Sequence, residues 1–143
     1  MFSKTCEYGI RAMIFISQKS SEGVKVGVKE VSSGIDSPVH FIAKILQDLG
    51  RKNLVQSFKG PNGGFFIEKD SEVTLADIVI AIDGDKLFKN CGLGLGYCSE
   101  ERPCPIHHDF KKIRNDITIM LHTSKLSEFS QLLKDNLTYL KLF

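Results

Sequence analysis

The chain has 143 residues, 42% hydrophobic and 25% charged, with a net charge of +2. That suits one folded domain, or one domain with a dimerising arm. No apolar run approaches the roughly 20 residues that cross a bilayer, and the opening Met1-Phe-Ser-Lys-Thr-Cys-Glu-Tyr8 lacks the basic-then-apolar order of a secretory signal. The expectation is a cytoplasmic protein with no membrane partner, where clustered cysteines point to metal or redox chemistry more than to disulfides. Residues 1–70 carry ten Lys or Arg against seven Asp or Glu, and residues 71–143 nine against ten. A mildly basic first half is weak support for a nucleic-acid face.

In chain order, Ser3 is placed to cap a first helix over 4–17, with Ile10, Met13, Ile14 and Ser17 on one face. Cys6 and Glu7 fall in its first turn, where the helix dipole favours a carboxylate. A loop over 19–25 leads to a short second helix over 28–33, broken at Gly34. Ser37 and Pro38 have the chemistry of an N-cap and a first helical residue. They open a third helix to about Leu49, with Gly50 placed to end it. Its apolar stripe is Phe41, Ile42, Ile45, Leu46 and Leu49.

Strands are expected over 54–58 and 65–67, joined by Lys59-Gly-Pro-Asn-Gly-Gly64, a hairpin tip. Two short helices, a tight turn, a third helix and then a hairpin make a winged helix-turn-helix. Thr74 and Asp77 form a near capping box for a fourth helix that Gly84 ends. After the cysteine segment, Pro105 opens a long helix to about His122. Its Ile106, Phe110, Ile113, Ile117 and Met120 are spaced 4, 3, 4, 3, a coiled-coil seam that calls for the same helix of a second copy. A last amphipathic helix is expected over 124–137. The fold class is mainly α with a small β-hairpin. Residues 1–84 form the DNA-binding domain, 85–104 a cysteine-rich loop, and 105–143 the dimerisation and C-terminal helices.

The chemistry concentrates between Cys91 and His107. Cys91, Cys98 and Cys104 follow C-x6-C-x5-C spacing, with His107 three residues beyond. The glycines and prolines among them keep the segment out of helix and strand. Three thiolates folded to one place suit an iron–sulfur cluster. Zinc in a Cys3His site and free thiols are the alternatives, though structural zinc spacings are usually tighter. The glycines of Gly92-Leu-Gly-Leu-Gly96 have no strand-turn-helix around them, so a nucleotide loop is not expected. No arrangement reads as catalytic, and an enzyme is not expected.

Ser3-Lys4, Tyr8-Gly-Ile-Arg-Ala-Met13, Leu54-Val55, Gly60-Pro-Asn-Gly-Gly-Phe65, Thr74-Leu-Ala-Asp-Ile78 and the three cysteines occur in the order found in one family. In this the chain resembles the Rrf-two family of bacterial transcription regulators over nearly its whole length. The resemblance implies a homodimer on a palindromic double-stranded operator. The third helix would enter the major groove and the wing the adjacent minor groove. The operator face would be Ser37, Pro38, Val39, His40 and Lys44, with Lys59 and Asn62 on the wing. Lys59 stands where the best-known members carry arginine, and it lacks the planar fork.

The resemblance also implies that cluster state sets DNA affinity. His107 is the favoured fourth ligand, as in IscR-like members, which makes [2Fe–2S] favoured over [4Fe–4S]. Glu7 of a partner chain is the rival, as in NsrR-like members, and Cys6 and His108 stay open. A histidine or carboxylate ligand exchanges more readily than thiolate, which suits a sensor of redox state, nitric oxide or iron–sulfur status. A regulator of the same fold using zinc, thiol oxidation or protein contacts is the alternative.

Overall fold

The computed structural model describes residues 1–142. Helix α1 runs Lys4–Ser21, α2 Val28–Ile35 and α3 Val39–Arg51. The antiparallel strands β1 Gln56–Phe58 and β2 Gly64–Phe66 pair Gln56 with Phe66 and Phe58 with Gly64. Helix α4 spans Leu75–Asp83, α5 Lys86–Lys89, α6 His107–Thr123 and α7 Ser130–Lys134, with a 3-10 turn over Leu126–Glu128. The mainly α fold with one small hairpin, and the winged order of elements, are as the sequence indicates.

The principal core lies between α1, α2 and α3. Ile42, Ile45, Leu46 and Leu49 recur at helical spacing, so one face of α3 is buried against Met13, Ile16 and Ile35. Each such side chain contributes about 1.5–3 kcal/mol through burial. A second cluster of Cys6, Ala76, Val79 and Leu121 joins α1, α4 and α6. Ser3 ties this region together. Its hydroxyl accepts from Cys6 N–H at 3.0 Å, and its own N–H donates to Asp83 at the end of α4, also at 3.0 Å.

Several boundaries differ from expectation, each for a local reason. Helix α1 continues to Ser21, because Lys19 and Ser20 carbonyls still find acceptable donors at Glu22. Helix α2 runs through Gly34, where a Cβ would sit 2.2 Å from the Phe15 ring. The glycine is there for close helix contact, and the turn falls instead at Asp36, with φ 53°. Pro38, and not Ser37, is the N-cap of α3. Gly50 stays helical, and the reversal comes at Asn53, with φ 61°. Strand β1 is two residues shorter than expected and β2 begins one residue earlier, at Gly64, while Val26 adds a bridge to Phe65. That approach requires Gly64, since a Cβ there would lie 2.9 Å from the Val26 backbone.

Helix α4 has its expected caps: Thr74 accepts from Asp77 N–H, and Asp77 accepts from Thr74 N–H at 2.9 Å. The long helix begins at His107, two residues after Pro105. The helix expected over 124–137 is only the 3-10 turn and α7. Ser124 and Leu126 spend their backbone groups on Leu75 and Val73 instead of on a helix of their own. No helix of the described residues is long and apolar enough to cross a membrane.

Candidate cluster loop and nucleic-acid interface

The loop between α5 and α6 is a small irregular hairpin. Asn90 bridges to Tyr97, Cys91 N–H donates to Gly96 O at 2.6 Å, and Cys98 N–H donates to Lys89 O at 2.9 Å. Gly94 and Gly96 take φ values of 77° and 94°, which L side chains resist, so the tip needs its glycines. The loop rests on α6 through Gly92, where a Cβ would come within 2.9 Å of the Phe110 ring.

All four cysteines are free thiols, and the three of the loop are half-buried. The Cys91 thiol is held below its ordinary value by the Leu93 backbone N–H, which donates to Sγ at 3.4 Å, then by Leu95, with a smaller part from Cys104. Burial pushes the Cys104 thiol up, and the facing Cys91 adds to this. Cys98 acts on Cys104 in the same direction. Cys98 and His107 are in contact, with Sγ 3.1 Å from Nδ1. His107 is only 2% exposed. Its Nε2 lies 3.2 Å from a Glu100 carboxylate oxygen, and the other oxygen of Glu100 is paired with Lys111.

His107 thus has a carboxylate on one ring nitrogen and a thiol on the other. A carboxylate on one ring nitrogen fixes the tautomer and leaves the other nitrogen free to bind. Among the described residues, no three His, Cys, Asp or Glu side chains converge tightly enough for a single ion. Glu7 is exposed and pairs with Lys4 at 3.7 Å. Cys6 is fully buried and its thiol is pushed up to about 12, mainly by burial and then by Asp83. His108 is exposed.

Glu100, Lys111 and the buried Arg114 were not singled out from sequence. Lys111 and Arg114 follow His107 at i+4 and i+7, the signal that they share its helix face. Glu100 had no such signal, because its approach depends on the loop path.

Pro38, Val39, His40 and Lys44 are exposed along the start of α3, and Lys59 and Asn62 are exposed at the wing tip. Ser37 differs: its hydroxyl is buried without a partner, while its carbonyl accepts from Ser32. Phe41, expected in the apolar stripe, is half-exposed; its ring lies tilted against His40, centroids 4.4 Å apart, and stacks on Tyr8 at 6.2 Å. Arg51 pairs with Asp48 at 3.0 Å, and Lys52 donates to Ala81 O at 2.5 Å, so both are engaged within the chain. On α6, Phe110 and Ile117 turn towards the chain's own loop and core, whereas Ile106, Ile113 and Met120 are exposed at heptad spacing.

The sequence model of the Rrf2 family, described as an iron-dependent transcriptional regulator, matches residues 2–131. A putative HTH-type transcriptional regulator of Aquifex aeolicus is 30% identical over 120 residues, 82% of each chain. The HTH-type transcriptional regulator IscR of Photorhabdus laumondii is 27% identical over 122 residues, covering 85% of this chain and 73% of that one. Among solved structures, CymR, the global cysteine regulator of B. subtilis, superposes with a TM-score of 0.73 at 19% identity, over 92% of this chain and 96% of its own. T. potens IscR gives a TM-score of 0.70 at 19% identity, over 95% and 88%. These two establish the shared fold. The chain thus belongs to the Rrf2 family of winged helix-turn-helix transcriptional regulators and is not an enzyme.

Proposed function

We propose that this regulator is a homodimer whose affinity for a palindromic double-stranded DNA operator is set by a [2Fe–2S] cluster held by Cys91, Cys98, Cys104 and His107. The observation that carries this reading is the pairing of Cys98 Sγ with His107 Nδ1 while Nε2 faces Glu100. Glu7 is the weaker candidate for the fourth position, because its carboxylate already meets Lys4 on the surface. When bound, the cluster supplies a redox and ligand-exchange centre. The chain's own part is to orient His107 through Glu100 and Lys111, and to shelter its ring at the start of α6.

Residues 1–84 would read DNA, 85–104 hold the three cysteine ligands, and 105–143 supply His107 and join two copies. Ser37 to Lys44 would lie in the major groove, with Lys59 and Asn62 at the minor groove. Ile106, Ile113 and Met120 offer the surface for a second α6. The ligands span the junction between α5 and α6, so holding or releasing them changes how firmly α6 is fixed to the winged helix. Recognition helices of a dimer must stand about 34 Å apart, one DNA turn. A small shift at the dimer helix therefore alters binding to both half-sites.

The test is anaerobic purification, visible absorption, and iron and sulfide analysis per chain. A coloured protein with equal iron and sulfide is expected. A colourless protein that resists reconstitution contradicts the cluster. The free, half-buried thiols of the loop, with Cys91 held below its ordinary value, favour a second reading, in which thiol oxidation is the signal on the same fold. Colourless but oxidant-sensitive DNA binding would support that one.

A further inference from the structure

Arg114 sits on the face of α6 that the cysteine loop covers, one turn beyond Phe110, and is 8% exposed. Its guanidinium donates to Asn90 O at 3.3 Å, the carbonyl directly before Cys91. Its Nε is buried with no acceptor. Among the described residues it forms no ion pair: Asp85 is paired with Lys89, Glu100 with Lys111 and His107, and the exposed Glu101, Asp109 and Asp116 make no ion pair with it. A buried cation without a counter-charge is costly, and natural folds compensate it. The compensating anion is then something the loop acquires.

We propose that Arg114 is the built-in counter-charge of the loaded cysteine loop, a positioning residue that couples loop occupancy to the dimer helix. The inference rests on the cluster reading above and deepens it. Three thiolates and a neutral imidazole around an oxidised [2Fe–2S] core leave a net charge of about −1, and about −2 once reduced. With the loop empty, Arg114 has no ion-pair partner among the described residues. The same guanidinium therefore disfavours the empty loop and stabilises the filled one, most strongly in the reduced state. Because it belongs to α6 and bonds the backbone beside Cys91, it joins the ligand loop to the helix whose adjacent, exposed side carries Ile113.

The test compares wild type, Arg114→Met and Arg114→Lys, each purified anaerobically, with and without cluster. The Met side chain keeps much of the stem and removes the charge. The expected results for Arg114→Met are a lower midpoint potential, faster cluster loss, and a cluster-free Tm equal to or above that of wild type. Arg114→Lys is expected to keep the potential close to wild type. An unchanged potential in the Met variant overturns the inference. So does a cluster-free Met variant that is unfolded or destabilised as much as the loaded one, because the guanidinium then serves the empty fold. A wild type that takes up no iron or sulfide overturns the cluster reading and this inference together, whereas a loaded wild type with an insensitive potential overturns this inference alone.

Discussion

Cys98 Sγ and His107 Nδ1 lie 3.1 Å apart, one from the loop and one from the first turn of α6. Nine residues of chain separate them, so the contact depends on the fold of the loop. It also divides the two ring nitrogens of His107 between a thiol and a carboxylate. This division makes His107 the ligand to test first. His107→Ala is expected to fold and to lose most of its iron and sulfide, while Glu7→Ala retains both. Metal analysis of the two variants checks the assignment, and the reverse order of loss would move the fourth ligand to helix α1.

Glu100→Gln leaves the shape of the site and removes the charge that orients His107. Partners of this kind are worth about 10–100-fold in metal affinity. The expected outcome is cluster loss to a chelator at a rate raised within that range, with the circular dichroism spectrum unchanged. Lys111→Ala should act in the same direction through Glu100.

The thiols should differ in reactivity when the cluster is absent. Cys91 is acidified by backbone N–H groups, whereas Cys6 is buried and pushed up to about 12. Mass spectrometry after alkylation of the native cluster-free protein near neutral pH should find Cys91 modified first and Cys6 unmodified. The neutral Cys6 thiol also makes stability depend on alkaline pH. Its contribution is complete below the ordinary thiol value of 9.0 and declines as pH rises from there towards about 12.

Lys44 and Lys59 are exposed on the helix and wing that would meet DNA. Replacing either with Ala should reduce the slope of log affinity against log salt by about 1 if it contacts a phosphate. Titrations at three salt concentrations give that slope. An unchanged slope would place the side chain off the interface.

Ile113 is 58% exposed in the middle of α6. Ile113→Glu should leave the fold intact, shift the protein towards monomer in analytical ultracentrifugation, and weaken operator binding. A dimer as tight as wild type would place the interface elsewhere.

The helix-turn-helix was legible because Ile42, Ile45, Leu46 and Leu49 repeat with the helical period, and the wing because its glycines mark a turn that few other residues can make. The capping pair Thr74 and Asp77 announced α4 for a similarly local reason. Gly34 misled, since its role is contact with Phe15 and not termination. The seam of α6 was only half legible. Spacing put Phe110 and Ile117 on it, but loop and core packing turn both inwards and leave Ile106, Ile113 and Met120 outward. The cysteines and His107 stood out by type and spacing. Glu100 and Arg114 did not, because their roles arise where the loop folds back on α6, which no local pattern encodes.

The coupling of cluster to DNA is tested most directly by one comparison: operator affinity of a single anaerobic preparation, measured loaded and after removal of its iron and sulfide. The operator can be selected from random DNA by the protein itself. Coupling between two sites usually amounts to about 5–150-fold in affinity. A change within that range, lost in Cys98→Ala, is the predicted result. Equal affinities with and without the cluster, in a preparation shown to carry it, would contradict the account.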